Sequence, residues 1–153
     1  MNRSINLIVA MLLGAGVAAG AGYQWYQNQK HQHAMKVWLQ TPVDLGYQKL
    51  KNVDAYIKDF QRFPGIDDIR EHNLRIVSPS IAYALPEPNL DNIELGELHL
   101  VLPNSGVDEA LINQKVIFIL GADKQWTCTT TVADEFRPDN CKAEAPPQPV
   151  YAG

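Results

Sequence analysis

Cys128 and Cys141 are the only two cysteines of 153 residues, and both belong to one short stretch, "DKQWTCTTTVADEFRPDNC", Asp123 to Cys141. A pair of thiols can ligate a metal, supply a nucleophile or form a disulfide. Two are too few for a structural zinc site, and their spacing is not C-x-x-C. A nucleophile would have to stay reduced, and Cys141 is the simpler partner for Cys128. Other chemistry-bearing residues offer less. His31 and His33 form H-x-H, but on a helix residues two apart do not share a face, so they read as a solvated pair. His72 and His99 read as isolated, and Asp67-Asp68 and Asp134-Glu135 as loop charge. "NSG" and "LGAG" lack the strand-turn-helix context and the lysine or acid that a phosphate cradle needs. No enzyme, cofactor or metal site is expected.

The elements around these residues say where the cysteines would act. Thirteen basic against seventeen acidic residues give a net charge of -4 with both signs spread along the chain. No basic run marks a nucleic-acid footprint. "INLIVAMLLGAGVAAGAG", Ile5 to Gly22, is uncharged, with Asn6 its one strongly polar residue. It is slightly short of the roughly 20 apolar residues that cross a bilayer, and Tyr23, Trp25 and Tyr26 follow where an interfacial belt would sit. Two readings are open: a cleaved signal peptide with Ala19-Gly20-Ala21 at its cleavage site, or a retained membrane helix. For the second, Gly14 and Ala18, Gly16 and Gly20, and Ala18 and Gly22 keep the small-xxx-small spacing that lets helices approach closely. Arg3 favours a cytoplasmic start, while Lys30 and Lys36 argue the other way. An exported chain with two cysteines bracketing one loop most simply forms a disulfide. Closing about 15 residues would stabilise by roughly 3 kcal/mol. The globular part is therefore expected outside the cytoplasm.

Helical periodicity continues from Tyr23 to about Leu39, and Pro42 marks a break or a kink. Beyond it Gly46, Leu50, Val53, Ile57 and Phe60 predict one buried stripe, ended by "RFPGIDD". The second half predicts short strands at Leu74–Ser78, Ile81–Leu85, Gly96–Leu102, Lys115–Leu120 and Trp126–Val132, punctuated by Pro79, Pro86, Pro88, Pro103-Asn104-Ser105-Gly106 and Gly121-Ala122-Asp123. The fold class is α+β: a long N-terminal helix packed on an antiparallel sheet of about four strands. Three segments are expected: a hydrophobic N-terminal helix at 1–26, a head of helix and sheet at 27–142, and a flexible proline-rich tail at 143–153.

This set resembles the type IV pilins. The residues that carry the likeness are the greasy half-helix running into an amphipathic one, "YQWYQNQ" (Tyr23 to Gln29) at the exit, "RFP", and above all "LINQKVIFILGADKQWTCTTTVADEFRPDNC", Leu111 to Cys141. That last stretch is similar to the penultimate strand, the tryptophan-cysteine strand and the disulfide-bounded loop of those subunits, with Pro138 shortly before the second cysteine. The middle, Ile66 to Leu95, matches little. The resemblance implies a retained helix that packs on other pilin-like subunits through Gly14, Gly16, Ala18, Gly20 and Gly22. It also implies a surface loop presenting Thr130, Asp134, Glu135, Arg137 and Asp139 to solvent or partners. The chain departs from the family at its start, "MNRSINLIVA". Met1 stands about where a mature pilin would begin, and Ser4 where the family has an acid. Three functions are expected in turn: a pilus subunit or minor pilin, a membrane-anchored accessory protein that is not polymerised, or a free periplasmic binding module. The location would be the inner membrane with a periplasmic head, or a surface pilus.

Overall fold

A computed structural model describes the backbone of residues 3–144, with side chains described from Gly22 onward. The chain divides into two compact units, Met1–Met35 and Lys36–Gly153. One helix, α1 (Arg3–Phe60), supplies the described backbone of the first unit and opens the second. It runs through Pro42 without a break, although that proline cannot donate to the carbonyl of Trp38. In the second unit Leu39, Val43, Gly46, Leu50, Val53 and Tyr56 form its buried stripe. Their gaps of four, three, four, three and three residues keep one face inward.

The stripe ends earlier than its periodicity predicts. Ile57 is half-buried and Phe60 is 48% exposed, because α1 stops there. Gln61 takes the left-handed conformation (φ 53°) and its amide bonds to the Ile57 carbonyl at 2.8 Å. This is a helix-ending turn. Phe63, carried back by that turn, fills the core in place of Phe60 and lies 6.1 Å from the Trp126 ring. A short helix, α2 (Ile66–Glu71), follows. Its amino end is held by Asp68, whose carboxylate accepts from the Gly65 amide at 2.7 Å and from Arg62 through both oxygens at 2.7 and 2.8 Å. Asp67-Asp68 is therefore not mere loop charge: Asp68 is a cap and an anchor.

Five strands form one sheet in chain order: β1 (Tyr83–Pro88), β2 (Gly96–Val101), β3 (Lys115–Leu120), β4 (Trp126–Thr130) and β5 (Lys142–Ala143). The first four are antiparallel neighbours. β5 runs parallel to β4, so the sheet is mixed rather than purely antiparallel. Two expectations fail here for physical reasons. Leu74–Ser78 is not a strand: Leu74 and Ile76 alternate inward because they fill the core, and the segment's only ladder contact is an isolated bridge from Ser78 to Ile81. β1 starts later than expected and continues through Pro86 and Pro88. As the outermost strand it tolerates both. The Asn89 amide bonds to the Leu95 carbonyl, and by alternation the proline nitrogens then face the open edge.

Even-numbered strand residues meet α1. Ala84, Leu98, Leu100, Val116, Phe118, Leu120, Trp126 and Cys128 share a core cluster with Val43, Leu50, Val53 and Tyr56. Helix and sheet approach closely at Gly46, where any Cβ would overlap the Phe118 ring. Tyr47 packs edge-on to the same ring at 5.0 Å, and Trp126 Nε1 donates to Asp54 on α1 at 2.9 Å. Odd-numbered residues point to the other face.

Candidate functional site

The sheet places Cys128 on β4 with its side chain in the core, and Cys141 immediately before β5. They are bonded, with Cα atoms 4.6 Å apart and a sequence separation of 13. The bond explains the parallel strand. A chain tied at Cys141 to Cys128 starts beside β4, and there it pairs Lys142 with Thr129 and Ala143 with Thr130. The Glu144 amide then bonds to the Thr130 carbonyl at 3.0 Å. The bond thus fastens the last described strand to the sheet.

Between the cysteines the loop is packed from beneath and charged above. Val132, Phe136 and Pro138 are buried. Tight turns bring the Phe136 amide to Ala133, the Arg137 amide to Asp134 and the Cys141 amide to Pro138. Asp134, Glu135 and Asp139 are exposed. Arg137 is half-buried and bound to Asp134 at 2.8 Å, so it steadies the loop instead of standing free. Lys36 of α1 reaches Asp139 at 3.7 Å. These residues rim a polar groove of about 410 Å³.

Thr130 is a correction. It is 1% exposed, the last residue of β4, and faces the core. Its hydroxyl donates to the Lys115 carbonyl at 2.7 Å and accepts from the Val132 amide at 3.2 Å. It holds the loop's root and is not part of its surface. Of the proposed packing residues, Gly22 is exposed, with open space where a Cβ would stand. For Gly14, Gly16, Ala18, Gly20 and the rest of the greasy run only the backbone is described, so their packing lies outside the described residues. Among the described residues no helix is long and apolar enough to cross a membrane. Tyr23, Trp25 and Tyr26 are all more than half exposed on α1.

The histidines are not as isolated as their spacing suggests. His72 sits edge-on to Tyr56 at 5.1 Å and to Phe60 at 4.8 Å. His99 is buried between Glu97 and Glu87. Near the end of α1, the Arg62 pair holds the Asp68 carboxyl well below the usual carboxylate range, against the opposing pull of burial. Burial first, and then the Asp68 carboxylate, push the Tyr56 hydroxyl up to about 12. That hydroxyl has no well-formed hydrogen bond, so we read its contact with Asp68 as electrostatic. A cavity of about 570 Å³ opens beside β1 between α2 and Ile76–Leu85. Comparison with known proteins finds no match: no family model covers the chain, and no curated sequence is similar to it.

Proposed function

We propose that the chain is a structural subunit or minor component of a type IV pilus-like surface filament. In this reading α1 packs against other pilin-like subunits through its amino-terminal half, after storage in the inner membrane with the head in the periplasm. The Cys128–Cys141 loop faces partners or a surface to which the filament adheres. The observation that carries the reading is the tie between Cys128 and Cys141. A sheet packed on a long helix has its last described strand pinned by a disulfide, and the loop so closed presents Asp134, Glu135 and Asp139. The exposed Tyr23, Trp25 and Tyr26 add support, since aromatic residues set around a helix just past its apolar run are what a membrane interface holds.

Ser4 cannot pair a charge with a neighbour's amino terminus as an acid would, so incorporation should be limited to a few copies. The test is quantitative detection in sheared surface filaments, with sequencing of the mature amino terminus. A few copies in the sheared fraction, raised by Ser4→Glu, would support the subunit. Retention in the membrane with none in filaments, unmoved by Ser4→Glu, would replace it with the accessory protein. A shortened chain recovered free in the periplasm would replace both with the binding module.

A further inference from the structure

The two ring nitrogens of His99 meet different surroundings. The residue is 6% exposed, and Nε2 lies 2.7 Å from Glu97 Oε2. An ionised carboxylate only accepts, so Nε2 carries the proton, and in the neutral ring Nδ1 is left as a bare acceptor. Nδ1 is itself buried, has no hydrogen-bond partner, and faces Glu87 Oε1 at 3.7 Å. That is too far for a hydrogen bond. Two lone-pair groups thus face one another across a gap. Glu87 also stands directly opposite Glu97 in the β1–β2 register, and like charges so placed repel. With the ring neutral, one metal ion between Nδ1 and Glu87 would relieve both conflicts, and it would occupy the place that a proton on Nδ1 would otherwise take.

The geometry fits such an ion. Donor atoms of Glu87, Glu97 and His99 all lie within 4.8 Å of one another. Bonds of about 2.0–2.2 Å from a tetrahedral zinc to imidazole nitrogen and carboxylate oxygen separate two ligands by roughly 3.4 Å, so the gap need close by only a few tenths of an ångström. An imidazole with a carboxylate suits zinc-class ions better than magnesium or calcium. A carboxylate bonded to the far ring nitrogen is the usual way a metal-binding histidine is oriented. The Glu87 side chain is half exposed and leaves an entry path.

We propose that His99 Nδ1 and Glu87 bind a zinc-class divalent cation on the outer face of the β1–β2 pair, with Glu97 orienting the imidazole. E-x-H on a strand puts Glu97 and His99 on one face, which H-x-H on a helix cannot do for His31 and His33. The test is zinc ion alone titrated calorimetrically into the full-length, disulfide-intact chain. One equivalent should bind, and should still bind when His31 and His33 are both changed to Gln. Because His99→Ala removes a buried side chain and could unfold the head, the informative variant is Glu87→Gln. It should weaken zinc binding by roughly 100-fold, and Glu97→Gln by about 10-fold, while circular dichroism of the metal-free protein stays unchanged. Nitrogen-15 spectra should show zinc moving the His99 Nδ1 resonance. No binding at millimolar zinc, binding indifferent to Glu87→Gln, binding lost with His31 and His33, or a zinc shift confined to Nε2 would each overturn the proposal.

Discussion

Leu98 and His99 are neighbours on β2, yet Leu98 joins Val53 and Phe118 in the core under α1 while His99 turns to the opposite face between two carboxylates. The same division runs along every strand. On β3, Phe118 meets the helix and Ile119 does not; on β4, Thr130 faces in and Thr129 faces out. Because side chains alternate with a period of two, one face can be filled with apolar volume without constraining the chemistry of the other. The covered face supplies the cohesion of the head. The outer face also buries Val101 and Ile117, but beside them it carries the candidate ion site, and the loop beyond β4 carries the proposed contact surface. Substitutions that respect this division should change one property and spare the other.

The largest effect belongs at the centre of the covered face. Phe118 is fully buried, touches Tyr47 and lies against Gly46. Phe118→Ala should cost about 3–5 kcal/mol, read as a shift of the denaturant midpoint of the head. A cost under about 1 kcal/mol would mean that α1 does not seal that face. Next is the covalent tie at the sheet's end. Thiol labelling of the denatured, unreduced chain should find no free cysteine, and replacing Cys128 and Cys141 together by Ser should cost about 2–5 kcal/mol. The double variant avoids leaving one reactive thiol behind.

A smaller effect lies where the chain leaves α1, at the rim of the same face. Asp68→Asn removes the charge from the Arg62 pair and should cost about 1 kcal/mol, since Arg62 is nearly half exposed and screened. The pH dependence is the sharper readout. A carboxyl held below its ordinary value of 3.8 contributes stability that is fully present above that value and is lost as pH falls through the folded value. The wild-type head should therefore lose stability as pH drops below about 4, and Asp68→Asn should flatten that acid limb. Equal slopes in both proteins would assign the acid sensitivity elsewhere.

Much of this division is legible in the residue order, and its failures have local causes. The disulfide follows from there being two cysteines in one loop, and the α1 stripe from the gaps between Leu50, Val53 and Ile57. Strands β2, β3 and β4 stand out because apolar runs lie between strong turn signals. Phe60 misleads because periodicity does not register where a helix stops, whereas the left-handed Gln61 does. Pro86 and Pro88 read as breaks because their tolerance depends on β1 lying at the edge, a fact of topology. α2 and β5 are too short to show a period. The ion cluster joins Glu87 to Glu97 and His99 across a hairpin, so only the β1–β2 register brings it together. The E-x-H pair on a strand was its one local signal.

The finest test of the division uses two adjacent threonines. Thr130 faces the core with its hydroxyl bonded to the Lys115 carbonyl and the Val132 amide. Thr130→Val keeps the shape but leaves the Val132 amide without that acceptor, while the Lys115 carbonyl keeps the Thr131 amide as a donor, and should cost about 1–2 kcal/mol. Thr129, one position earlier, points to the other face, and its hydroxyl is buried without a partner among the described residues. Thr129→Val replaces an unsatisfied polar group by a methyl of equal size, a change that is neutral or favourable when nothing is left unpaired. Its stability should match wild type within about 0.5 kcal/mol or exceed it. Equilibrium unfolding of the two variants side by side gives the comparison directly. A Thr129→Val loss as large as that of Thr130→Val would mean the outer hydroxyl has a bonded partner after all. The clean separation of the two faces would then fail at β4.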